Sequence, residues 1–69
     1  MKLSARNQLK GRILEIKHGA IMSQVKIDIG GGNIITSLIG KDSADELGLK
    51  PGDEAVAIIK STEVIVGKL

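Results

Sequence analysis

The sequence predicts an all-β fold, a small five-stranded barrel with one short helix between strands 3 and 4. Three observations carry this reading. Residues 20–29 alternate apolar and polar side chains with the two-residue period of a strand. Turn chemistry at His18-Gly19, at Gly30-Gly31-Gly32-Asn33 and at Lys50-Pro51-Gly52-Asp53 divides the chain into short apolar segments. Only residues 41–49 break that rhythm, with the start and stop signals of a helix. Three strands, a helix and two more strands is the element order of an OB-like barrel.

The first strand is read from Leu9 to Lys17, with a bulge near Gly11. After the His18-Gly19 turn, residues 20–29 place Ile21, Val25, Ile27 and Ile29 on one face and Gln24, Lys26 and Asp28 on the other. The glycine run then forms a hairpin, and Ile34 to Ile39 returns as the third strand. It lacks the Gly-Lys-Ser/Thr ending of a phosphate loop and joins two strands, so it is read as a turn without function. In the helical segment Asp42 serves as cap and Gly48 fits the C-terminal stop. Ala55 to Lys60 and Thr62 to Gly67 are the last two strands. The fourth is apolar on both faces, Val56 and Ile58 on one and Ala55, Ala57 and Ile59 on the other. A lone barrel would leave one of those faces wet, so the strand predicts an obligate homo-oligomer.

Length and composition point the same way. Sixty-nine residues allow a single domain, residues 1–69. A chain of this size buries only about 60% of its unfolded surface. Cysteine is absent and there is one histidine, which removes disulfides and a structural zinc as supports and leaves association. The longest apolar run, Ala55 to Ile59, is five residues, far below a membrane span. No apolar stretch follows Met1-Lys2-Leu3, so no signal peptide is read, and a cytoplasmic setting is expected. The formal charge of +2 is too small to imply nucleic acid. Single-stranded nucleic acid also needs aromatic stacking platforms, and Phe, Tyr and Trp are all absent.

Two polar clusters remain. Ser4-Ala5-Arg6-Asn7-Gln8 precedes the first apolar run, and Lys60-Ser61-Thr62 separates the last two. Arg6 and Lys60 read equally well as solvated strand-end charges. Their company favours more: hydroxyls and amides surround them, and the nearest carboxylate is Glu63. A tetrahedral dianion needs many donors, few acceptors and one or two fixed positive charges. His18 has no neighbouring nucleophile or paired carboxylate, and Asp42, Asp45 and Glu46 suit helix capping better than a metal. No acid–base or nucleophile pair is evident, so an enzyme is not expected, nor a catalytic cofactor or metal.

The run Ser4 to Gly11 resembles the opening of the molbindins, the small Mop-type molybdate- and tungstate-binding proteins. Further matches are Asp42-Ser43 leading to Glu46-Leu47-Gly48-Leu49, then Pro51-Gly52, and Ile59 to Val64, so the likeness covers the whole chain. The resemblance implies an OB-like barrel whose subunits exchange strands into dimers, three dimers making a hexamer, with the oxyanion held between subunits. It assigns Ser4, the Ala5 backbone and Arg6 to one ligand segment, and Lys60 and Ser61 to a second. Ser43 matches a hydroxyl donor from a neighbouring subunit, at a helix start where free N–H groups suit an anion. Gly40 stands where some relatives carry Ser or Thr. The family also has a second class of site on the three-fold axis, to which the His18-Gly19 turn is one candidate contributor. The expected function is binding of molybdate, and of tungstate with it, for intracellular molybdenum storage. Two further readings stay open: a module that senses molybdate and acts on a partner protein, and, less favoured, an OB-like nucleic-acid binder.

Overall fold

The computed structural model describes residues 1–69. Its elements are β1 (Asn7–His18), β2 (Met22–Gly30), β3 (Asn33–Gly40), α1 (Lys41–Leu47) and β4 (Glu54–Ile59), followed by a 3-10 turn over Ser61–Glu63. The strands form one antiparallel sheet in the order β3-β2-β1-β4. The all-β class and the short helix between the third and fourth strands stand as expected.

Local chemistry explains the connections. Gly31 and Gly32 both have positive φ, 63° and 79°, as the two-residue turn of a twisted hairpin requires. The helix starts without a linker: β3 pairs up to Gly40 opposite Met22, and the Lys41 amide donates to the Ile21 carbonyl at 2.8 Å. Gly40 therefore takes the N-cap position without a side-chain cap, and Asp42 lies inside the first turn instead of capping it. Gly48 closes the helix in the left-handed region as expected. At the Lys50–Asp53 turn the Asp53 carboxylate accepts from the Lys50 amide at 3.1 Å, a closure added to the Pro-Gly signal.

Three further expectations are corrected. The bulge of β1 falls at Leu14, between Ile13 and Glu15, and not near Gly11. Gly11 instead marks a close approach, since a Cβ there would collide with the Asp28 carbonyl oxygen. In β2 the inward row is Ser23, Val25, Ile27 and Ile29; Ile21 lies in the preceding turn and is 79% exposed. Ser23 is fully buried, and its hydroxyl meets Nδ1 of His18 at 2.7 Å, the polar partner that such burial requires. Lastly, the fifth strand does not form within the chain. Ser61–Glu63 wind into the 3-10 turn, and residues 64–69 continue without strand pairing. The apolar Val64-Ile65-Val66 segment has strand composition, but no strand of its own chain pairs with it.

The core is correspondingly thin. Ile13, Val25, Ile27 and Ala57 are its buried members, with Ile16, Ile35, Ile39 and Leu49 packed against them. Only six of 69 residues are buried. Meanwhile Leu38, Leu47, Ile58, Ile65 and Val66 are all exposed. The concave face of the sheet opens between the free edges of β3 and β4 into a trough of about 950 Å³, lined largely by apolar side chains that include Ile35, Ile39, Ala55 and Ile59. Two unpaired edges flanking an apolar trough form a surface built to be covered.

Candidate functional site

The site begins from the antiparallel register of β1 and β4. Its pairs run from Arg12 opposite Glu54 to Asn7 opposite Ile59. Arg6 directly precedes Asn7 on one strand, and Lys60 directly follows Ile59 on the other. The two polar clusters, more than fifty residues apart in sequence, thus meet at one end of the sheet. Side chains alternate across a strand, so the faces can be assigned. Asn7 and Ile59, both half-buried, lie on the inward row with the buried Ala57. Arg6 and Lys60 fall in the outward row, beyond Gln8 and Ile58, and both are exposed.

The charges of the two residues are uncommitted. The chain's four ion pairs join Arg12 to Glu54, Lys17 to Glu15, Lys41 to Asp45 and Lys50 to Asp53. Arg6 and Lys60 are therefore two cations without a carboxylate partner at the same end of the ladder, in segments that also carry the exposed hydroxyls of Ser4, Ser61 and Thr62. The local backbone is tied down on both sides. Asn7 Nδ2 donates to the Ile59 carbonyl at 3.2 Å, and Gln8 Nε2 donates to the Ala5 carbonyl at 2.7 Å. The Lys60 carbonyl accepts from the Glu63 amide at 2.9 Å, which turns the chain away from the ladder just past Lys60. Like charges gathered at one end of a sheet repel, so this arrangement suits a ligand that supplies the missing negative charge.

Ser43 is not brought to this cluster within the chain. It sits on α1, which follows Gly40, and Gly40 pairs with Met22 beyond the His18 end of β1. Arg6 precedes the Asn7 end of the same strand. Twelve residues of strand separate the two ends, roughly 35 Å along its path at about 3.3 Å per residue. Within one chain, therefore, Ser43 and the Arg6–Lys60 end of the ladder lie at opposite ends of β1.

Gly40 is open to substitution. Its φ of −60° and ψ of 142° are ordinary for any residue, and a Cβ would lie 3.7 Å from the Ser43 hydroxyl, at normal contact distance. The roles of Asn7 and Gln8 as braces, and the burial of Ser23, were not legible in the sequence. The amide pair beside Arg6 was visible, but its acceptors depend on the sheet register.

Comparison with known proteins identifies the family. The TOBE domain family matches residues 3–66. Molybdenum-pterin-binding protein 1 of Clostridium pasteurianum is 53% identical over 66 residues, covering 96% of this chain and 97% of the relative. Among solved structures, MopII from Clostridium pasteurianum matches with a TM-score of 0.91 and 48% identity, over 97% of this chain and 100% of that one. ModG, described as a cytoplasmic molybdate-binding protein and solved with molybdate bound, matches at a TM-score of 0.89 and 46% identity. That match covers 94% of this chain and 46% of ModG. A family match over nearly the full length, and relatives this similar in sequence and backbone, lead to one conclusion: the chain belongs to the TOBE-domain family, among its Mop-type molbindins.

Proposed function

We propose that this protein binds molybdate, and tungstate with it, at sites between subunits of a homo-oligomer, and so serves as an intracellular store of the oxyanion. The observation that carries the reading is the convergence of Arg6 and Lys60 at one end of the β1–β4 ladder, with no carboxylate paired to either. In this arrangement the two cations neutralise the dianion. Ser4, Ser61 and the Ala5 backbone direct donors at its oxygens, and Ser43 of a neighbouring subunit adds a further hydroxyl. The chemistry is binding without bond making, and no residue is assigned a catalytic role. A cytoplasmic setting is part of the proposal, supported by the description of the ModG relative.

Assembly belongs to the same reading. The open trough and the unpaired Val64–Val66 segment support an exchange in which one chain's C-terminal residues complete the sheet of another. Three such dimers would form a hexamer, and the mass in solution, by light scattering, tests this directly. A monomer at micromolar concentration would overturn it.

Calorimetric titration with molybdate, tungstate and sulfate in parallel tests the ligand. Tight binding of the first two with weak sulfate binding is the expected result. Equal affinities would reduce the site to a generic anion patch, and absence of heat from all three would remove the function. Because the site would lie between chains, saturation should also stabilise the assembly, by about 2.7 kcal/mol when free ligand is 100-fold above Kd.

Position 40 offers a graded test. Gly40→Ser adds a hydroxyl beside Ser43 on backbone that accepts it. Molybdate affinity is expected to rise about fivefold, the worth of one neutral hydrogen bond near 1 kcal/mol. The same titration checks it, and unchanged affinity would place the start of α1 outside the site.

A further inference from the structure

The β1–β4 ladder stops one pair short of the proposed anion site. Its last pair is Asn7 with Ile59. Beyond it the main chain offers little support. No backbone hydrogen bond outside the ladder reaches Ser4, Ala5 or Arg6, and those past Lys60 stay within its own turn. Two side-chain carboxamides supply what the backbone does not. Gln8 Nε2 holds the Ala5 carbonyl at 2.7 Å and closes the Ala5–Gln8 segment on itself. Asn7 Nδ2 reaches across 52 residues of sequence to the Ile59 carbonyl at 3.2 Å, fastening the strand that Arg6 precedes to the one that Lys60 follows.

We propose that Asn7 and Gln8 are positioning residues of the anion site, holding the Ser4–Arg6 and Lys60–Ser61 segments in the binding arrangement before the anion arrives. The inference rests on the function proposed above. Its physical basis is the electrostatics of the empty site. Arg6 and Lys60 flank the last pair of the ladder and neither has a carboxylate partner, and like charges brought close push their segments apart. Something must hold the segments together when no anion is present. A carboxylate would do so by neutralising one cation, and would then compete with the ligand. A carboxamide donates to a backbone carbonyl and carries no charge, so both cations stay available. Segments ordered in advance also spare the anion the entropy of ordering them, which appears as affinity.

Asn7 and Gln8 touch no ligand in this scheme. Asn7 faces the inward row and acts through Lys60, while Gln8 acts through the Ala5 backbone. Their removal should therefore weaken binding without selecting among anions, unlike loss of a residue that contacts the oxygens.

The test uses the full chain and two substitutions close in shape that lack the donor, Asn7→Leu and Gln8→Met. Molybdate titration, melting of the anion-free protein and hydrogen–deuterium exchange are measured on each. Molybdate Kd is expected to rise about 5- to 10-fold in each variant, as for one neutral hydrogen bond. The tungstate-to-molybdate affinity ratio should stay constant, and the anion-free Tm should fall by no more than about 4 °C. Exchange at residues 4–6 and 60–63 should be faster in the anion-free variants and return to the wild-type rate at saturating molybdate. Wild-type Kd in both folded variants would overturn the proposal. So would a large fall in Tm with faster exchange throughout the sheet, which would make the amides general braces of the fold. If the wild-type protein itself gives no molybdate heat, the functional reading falls first and this inference falls with it.

Discussion

Replacing Arg6 with alanine is expected to raise the Kd for molybdate about 100-fold, a loss of about 2.7 kcal/mol, and to leave a folded oligomer. A guanidinium stays charged at any working pH and presents a fixed fork of donors, which makes it worth more to an oxyanion than a hydroxyl is. Arg6 is exposed and belongs to none of the chain's ion pairs, so its removal strands no partner and opens no cavity. Arg6→Lys separates charge from geometry: it should recover part of the affinity, since the charge returns without the fork. Lys10→Ala removes a positive charge from the same outward row of β1 and should change the Kd by less than about threefold, because screening weakens a distant exposed charge. Titration of the three variants decides the matter. Arg6→Ala with wild-type affinity would remove Arg6 from the site.

The second large effect concerns the fold on which the site is built. Gly11→Ala is expected to destabilise the protein by about 2–3 kcal/mol, which at 4–8 °C per kcal/mol for a small domain lowers Tm by roughly 10–20 °C. A Cβ at position 11 would overlap the Asp28 carbonyl oxygen and stand 2.9 Å from both the Asp28 carbonyl carbon and Ile27 Cγ2. The backbone has no easy way to yield. Gly11 is paired with Ala55 of β4, and its neighbour Arg12 is paired with both Asp28 and Glu54. Movement away from β2 would therefore break register with β4, and with it the alignment that brings the Arg6 and Lys60 segments to one end of the sheet. Thermal melting checks the stability. A variant that melts with the wild type would show that β1 and β2 have room for a methyl group where the structure has contact.

Much of this protein was legible because its turns and strands follow local rules. Gly31 and Gly32, the Pro51-Gly52 pair and Gly48 each favour a backbone conformation that a turn or a helix end supplies, and each is found there. Val25, Ile27 and Ile29 were placed correctly by alternation alone, and the two apolar faces of the fourth strand foretold an uncovered surface. The misplacements have a common origin. Gly11 carries the same local signal for a bulge as for a close approach of two strands, and only the position of Asp28 separates them. Asp42 is a good capping residue, but β3 runs on to Gly40 and takes the cap position first. Ser23 looks like a polar strand residue until His18 is found beside it. The Thr62–Gly67 segment has the composition of a strand without a partner in its own chain.

By itself, then, the sequence determined the secondary-structure class, the turns, the lack of internal staples and the donor-rich chemistry of two short clusters. These depend on residue type and near neighbours. Tertiary structure decided that the two clusters lie at one end of the sheet, because residues more than fifty apart are brought there only through the register of β1 with β4. It decided also that Ser43 lies at the far end of that strand, and that the last apolar segment is left without a partner. Register and pairing are set by which surfaces the folded chain can bury together, and no local stretch of sequence contains that information.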